Sequence, residues 1–160
     1  NPDAVVIANM TGTTPTAWND PVTGSELTKA HIAQGAAVVY AAAGGTGVGV
    51  RQTAADEGVL SIGVDSNQNH LHPGKVLTSM LKRVDVAVYD VLKAGDSLQP
   101  SIQTLGLAQD GVGYALDDNN ASLISDDMKA SVEEAKAKII SGDVAVHNYT
   151  TDDSCPALSF

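Results

Sequence analysis

The stretch Ala36-Ala37-Val38-Val39-Tyr40-Ala41-Ala42-Ala43-Gly44-Gly45-Thr46-Gly47-Val48-Gly49-Val50 passes from an apolar run into a glycine turn and on into a helical segment. Residues 36–42 hold Ala and Val without a polar alternation, so they read as a strand covered on both faces. Gly44 to Gly47 turns the chain, and residues 48–57 read as a helix closed by Gly58. Strand, tight turn and helix in that order form the unit of a parallel sheet.

The same unit recurs on both sides. Upstream, residues 4–9 (AVVIAN) read as a buried strand, followed by a loop rich in Thr, Gly and Pro that ends at Trp18. Asp20 is placed to cap a helix over residues 21–34, with Pro21 at its first position, Gly35 as its stop, and Leu27, Ala30 and Ala33 along its apolar side. Downstream, residues 60–64 and 76–80 read as strands separated by a longer loop over 65–74. The helix expected over residues 84–93 puts Val84, Val88, Val91 and Leu92 on one stripe fit for burial.

After Gly95 the pattern changes. Residues 104–107 and 112–116 are short strand candidates around the turn signal Gln109-Asp110-Gly111. Ser125 caps a helix with Asp126 and Asp127 in its first turn, Met128, Val132, Ala135 and Ile139 on its apolar face, and Gly142 as its stop. Residues 144–146 are a candidate for a last short strand. The expected class is α/β: a Rossmann-like, three-layer unit whose parallel sheet carries helices on both faces and right-handed crossovers. Residues 1–146 make up this unit, and 147–160 are an aperiodic tail.

A chain of 160 residues suffices for one core. Nine Lys and Arg face nineteen Asp and Glu, a net charge of −10. Such a surface repels phosphate backbones and anionic lipid, which argues against nucleic acid as a partner. The apolar run at 36–43 is far too short to span a bilayer. Asn1-Pro2-Asp3 lacks an initiator Met and any basic or apolar leader, and the expectation is that the chain starts inside a longer protein. Cys155 is alone, so no internal disulfide or Cys-based metal site is expected.

In a parallel sheet, loops that follow strands open at one edge, where α/β sheets hold ligands. Four such loops carry suitable residues: Trp18-Asn19-Asp20-Pro21, Gly44-Gly45-Thr46-Gly47, Asp65-Ser66-Asn67-Gln68 and Lys82-Arg83. The glycines spell neither the dinucleotide nor the P-loop pattern; they serve either turn geometry or close backbone approach to a ligand. Asp65, at a strand end, can accept two hydroxyl hydrogen bonds from a vicinal diol, or close its own loop as an Asx turn. Lys82 should lie near Asp65, fixing it and donating to ligand oxygens. Trp18, the single Trp, can stack on a flat ligand or plug the core from its loop. His70-Leu71-His72 lacks a third ligand for metal. No Gly-x-Ser-x-Gly elbow and no nucleophile grouping appear, so no catalysis and no cofactor are expected.

With these residues in view the chain resembles a known family. Trp18-Asn19-Asp20-Pro21, Gln34-Gly35-Ala36, Ala42 to Val50, Ile62-Gly63-Val64-Asp65-Ser66 and the run Val76 to Asp90 are similar to the basic membrane protein (BMP) lipoproteins. These are substrate-binding receptors of ABC transporters and include bacterial purine nucleoside receptors. The resemblance implies a lobe of a type I periplasmic-binding fold, two α/β lobes that close on a ligand, with the chain matching the C-terminal lobe and residues 104–146 crossing back. It implies an aromatic at Trp18 that stacks on the nucleobase, a carboxylate at Asp65 and an ammonium at Lys82 on the sugar, and backbone approach near Gly45. Asn19, Gly44 and Thr46 complete the expected ligand set. The implied partners are a nucleoside or related small solute, a membrane permease and an N-terminal lobe, at the periplasm or outer face of the membrane.

Asn67 stands where relatives often carry Asp, and residues 70–74 depart from the family pattern. Without an opposing lobe, weak affinity is expected. Alternatives of other classes are a ligand-sensing regulator of the same fold, a sugar-binding protein, and a nucleotide-dependent enzyme. A phosphoacceptor receiver, mimicked by Asp65, Thr78 and Lys82, lacks the acidic pair for Mg²⁺ after its first strand.

Overall fold

The computed structural model describes residues 3–152 and 154. Four strands form one sheet in the order β1 (Val38–Tyr40), β2 (Leu60–Gly63), β3 (Val76–Lys82) and β4 (Val112–Tyr114). β1, β2 and β3 are mutually parallel, and β4 pairs antiparallel with β3 through Met80↔Tyr114, Leu81↔Gly113 and Lys82↔Val112. The mostly parallel α/β class is as expected. The closing strand is antiparallel although the connection over residues 83–111 contains α3 (Val84–Ala94), followed by 3-10 turns at Gly95–Ser97 and Leu107–Gln109 and the left-handed Asp110.

α1 (Pro21–Ala33) starts where the sequence places it. Asp20 accepts from the Thr23 N–H at 3.0 Å and from its hydroxyl at 2.7 Å, which holds the Asp20 carboxyl below its usual range, the backbone bond contributing most. α2 (Gly47–Asp56) follows the 3-10 turn Gly44–Thr46 and packs over β1 and β2. Val39, Ala41, Val50 and Ala54 form the core at that contact. α1 lies on α2, not on the sheet, and meets it through Gly24 and Thr28 instead of the expected Leu27–Ala30–Ala33 face. The helices approach so closely that a Cβ on Gly49 would run into the Pro21 carbonyl.

The β2–β3 connection has no α-helix. Ser61 pairs with Val76 but Ile62 pairs with Thr78, so β3 bulges at Leu77. Asn120, fully buried, donates from Nδ2 to the carbonyls of Leu77 (2.9 Å) and Ala115 (3.0 Å), satisfying the bulge.

Several expected features are not found. Residues 4–9 form no strand: Val5 and Val6 lie exposed because no neighbouring strand offers them a ladder. Residues 104–107 are irregular up to the 3-10 turn, and 144–146 make no strand, for the same want of a partner. β1 is covered on one face only, with Val39 buried under α2 while Val38 and Tyr40 stay 42% and 50% exposed. Finally, α3 forms but its stripe of Val84, Val88, Val91 and Leu92 stays exposed, since no element lies over it.

α4 (Asp126–Ser141) is capped by Ser125, whose hydroxyl accepts from the Met128 N–H at 3.2 Å, and ends at the left-handed Gly142. Its Val132, Ala135 and Ile139 face Met80, Tyr114 and Leu116 across an apolar groove of about 580 Å³. The tail contains a short helix, α5 (Tyr149–Asp152); Cys155 lies outside the described residues. No helix among the described residues is long and apolar enough to cross a membrane.

Candidate functional site

The parallel register of β1, β2 and β3 sends the chain off each strand at one edge, and there the expected site residues fall into two clusters. The first joins the Trp18 loop to the glycine turn. Residues Pro15–Asn19 form a 3-10 turn that leaves Trp18 60% exposed. Thr46, fully buried, ties this turn down: its hydroxyl donates to the Ala17 carbonyl at 2.7 Å and accepts the Asp20 N–H at 2.7 Å. Both hydrogen bonds of that hydroxyl serve the scaffold, so Thr46 acts on the loops around it.

Gly44, at φ 52°, turns the chain beneath Trp18, and a Cβ there would lie 3.1 Å from the Trp18 carbonyl oxygen and 3.7 Å from Cε3 of the indole. At Gly45 a Cβ would sit 2.8 Å from Asn19 Oδ1. The missing side chains therefore seat the Trp18–Asn19 loop on the turn. This is a packing reason for the glycines that accompanies any role in ligand approach.

The second cluster is Asp65 and Lys82. The ladder continues past β2: the Lys82 N–H donates to the Asp65 carbonyl at 2.9 Å. With the backbones joined, Lys82 Nζ meets Asp65 Oδ1 at 2.7 Å. The hydrogen bond that the ammonium donates to Asp65, then the charge of Asp65, raise Lys82 above its ordinary value, with a smaller contribution from Tyr40. Raised means that the pairing is complete below the ordinary Lys range and is lost only as pH climbs through the higher folded value. Asp65 adopts a left-handed φ of 70°, which Asp tolerates better than most residues.

The loop that follows is latched by polar contacts between segments far apart along the chain. Val64 N–H donates to Gln68 Oε1 at 2.8 Å, and Ser79 Oγ accepts from the Gln68 N–H and donates to Asn69 Oδ1. Asp117 Oδ2 accepts from Asn67 at 2.6 Å and from Asn69 at 3.2 Å, while its Oδ1 takes the backbone and side-chain N–H groups of Asn119. The Asn67 bond, ahead of the others, holds the Asp117 carboxyl below its usual range. Asn67 thus works as a donor to this latch. The run Asp117-Asp118-Asn119-Asn120, a dense set of Asx turn formers, is the signal that points to it.

Arg51 carries no such signal in the sequence. It is a lone cation on the buried face of α2, 1% exposed, with its guanidinium beside Gly47 and Ala41. Among the described residues no group of three or more His, Cys, Asp or Glu converges as a metal site.

A glycine-seated aromatic loop and an acid–ammonium pair at one sheet edge can hold a ligand with a flat part and a hydroxylated part. A family model described as ABC transporter substrate-binding protein, PnrA-like, matches residues 1–148. The chain belongs to this Bmp family. The CD4+ T-cell-stimulating antigen of Listeria monocytogenes is 38% identical over 144 residues, covering 77% of this chain and 39% of the relative. Basic membrane protein D of Borreliella burgdorferi is 31% identical over 132 residues, covering 79% and 38%. The crystal structure of an ABC transporter solute-binding protein from Aeropyrum pernix K1 superposes with a TM-score of 0.70 at 31% identity, over 88% of this chain and 49% of that one. The chain therefore spans less than half the length of these Bmp relatives, and partial coverage of this kind fits one lobe.

Proposed function

We propose that this chain is the C-terminal lobe of an ABC uptake receptor and that it binds a nucleoside, most favourably a purine one, without catalysis. The observation that supports this reading best is the 2.7 Å Lys82–Asp65 pair, held at the sheet edge that also carries the indole on its glycine seat. Asp65 offers carboxylate acceptors and Lys82 offers ammonium donors, which together suit the vicinal hydroxyls of a ribose. Trp18 offers an exposed ring face, and base–aromatic stacking contributes about 1–3 kcal/mol per base. Asn19 and the backbone at Gly44 and Gly45 border the indole, while Thr46 fixes their positions.

A second lobe closes the cleft, excludes water and supplies the opposite wall; without it affinity is weak, because drug-sized ligands bury most of their surface in a good site. A membrane permease receives the solute, and the parent protein is lipid-anchored on the outer side of the cytoplasmic membrane. With a net charge of −10, nucleic acid is no partner.

Calorimetry on the full-length protein tests the assignment. Inosine, guanosine or adenosine should release heat on binding, and Trp18→Ala or Asp65→Ala should each weaken binding at least tenfold, about 1.4 kcal/mol. Heat with free ribose or another plain sugar and none with any nucleoside would transfer the site to the sugar-binding reading.

A further inference from the structure

Three triplets of the form Asn-x-Ser/Thr, the acceptor pattern for attachment of a sugar to an amide nitrogen, occur in the chain: Asn9-Met10-Thr11, Asn120-Ala121-Ser122 and Asn148-Tyr149-Thr150. The pattern treats them alike, and their surroundings separate them. The reacting atom is Nδ2, whose lone pair is delocalised into the carbonyl. A usable acceptor therefore needs Nδ2 in solvent, and a donor on Oδ1 makes the N–H protons easier to lose. Asn120 fails the first condition: it is fully buried, its Nδ2 donates to the Leu77 and Ala115 carbonyls, and its Oδ1 accepts the Asp117 N–H at 2.8 Å. Asn9 is exposed, but the hydroxyl of its triplet turns away: Thr11 donates to the Ala17 carbonyl at 3.2 Å. Its Oδ1 meets His31 Nε2 at 2.7 Å instead.

Asn148 meets both conditions. It is exposed, and Thr150 closes an Asx turn onto it, donating to Asn148 Oδ1 from its hydroxyl at 2.7 Å and from its N–H at 3.1 Å. Thr151 holds the turn from the other side, its N–H and hydroxyl both donating to the Asn148 backbone carbonyl, at 3.0 and 2.7 Å. Among the described residues nothing accepts from Asn148 Nδ2, and Tyr149 beside it is exposed. We propose that Asn148 is a glycosylation site, modified outside the cytoplasmic membrane by transfer from a polyprenyl phosphate- or diphosphate-linked oligosaccharide. Nδ2 bonds to the anomeric carbon as the bond from that carbon to the phosphate oxygen breaks. The electron pair of the broken bond leaves with the polyprenyl phosphate or diphosphate, and Nδ2 gives up one proton to the transferring enzyme. Position suits the addition, because the family match ends at residue 148 and the triplet lies beyond α4, outside both clusters of the ligand site. The inference rests on the placement outside the membrane proposed above and not on the nucleoside assignment.

The test uses the full-length protein recovered from its own organism, with protease treatment of intact cells to establish its compartment and peptide mass spectrometry to read its modification. The peptide holding Asn148 should carry a glycan mass that electron-transfer fragmentation localises to that residue, while the Asn120 peptide keeps its unmodified mass. Thr150→Val should abolish the added mass with Asn148 untouched, and Thr150→Ser, which keeps the hydroxyl, should retain it. An unmodified Asn148 in protein that the protease reaches would overturn this inference and leave the placement standing. Protein that the protease never reaches would overturn the placement and this inference with it. A glycan on Asn9 or Asn120 with Asn148 bare would overturn the selection among the three, and a glycan on Asn148 that survives Thr150→Val would overturn the part given to the hydroxyl.

Discussion

At the scale of single residues, the site depends on backbone conformations that its side chains tolerate. Asp65 holds a left-handed φ and faces Lys82 because the β2–β3 ladder runs one bond beyond the strand. Asp65→Asn should preserve the turn and still weaken nucleoside binding, while Asp65→Ala should in addition lower thermal stability, since Ala tolerates φ 70° poorly; melting curves and calorimetry on the two variants separate the effects. Asp117 carries a testable pH dependence. Its folded pKa is depressed, so its contribution is complete above the unfolded value near pH 4 and fades as pH falls through the lower folded value. Acid titration of stability should therefore flatten in Asp117→Asn, as followed by circular dichroism. The positions of Asp65 and Lys82 after strands, and the residue type of Trp18 in its Thr/Pro loop, make them legible as site candidates in the sequence. The full engagement of Thr46 with Ala17 and Asp20 is not visible there, because both bonds join segments far apart along the chain.

At the scale of elements, local signals suffice where the chemistry is local. Asp20 with Pro21, the glycines at 44–47, and Ser125 with Gly142 mark helix ends that the structure reproduces within a residue or two. Ser125→Ala should cost about 1 kcal/mol, measurable by urea titration. Strands expected from composition do not form where an apolar stretch lacks a neighbour, as at residues 4–9 and 144–146, because composition records a tendency to be buried and not the presence of a partner. The same reason leaves the α3 stripe in solvent. The α1–α2 contact is hidden for the opposite reason: it is made by small residues, Gly24 and Gly49, that carry no hydrophobic signal. Gly49→Ala should destabilise by about 1–3 kcal/mol through overpacking against Pro21, as seen in chemical denaturation, while Gly58→Ala, with open space around it, should respond only to its backbone strain.

At the scale of the molecule, a compact centre around α2 and three parallel strands is bordered by apolar surfaces that nothing in the described residues covers: the β1 edge, α3 and the groove beside α4. Such uncovered surfaces accord with the proposed reading as one lobe, and the family relatives are more than twice as long as the shared region. The most direct test follows the Trp18 indole N–H resonance in the full-length protein during titration with guanosine. Stacking should shift that resonance together with the amides of Gly44, Gly45 and Asp65, in a saturable manner that Asp65→Ala moves to at least tenfold higher concentration. Saturable guanosine binding that leaves the indole and Asp65 resonances where they were would contradict the site.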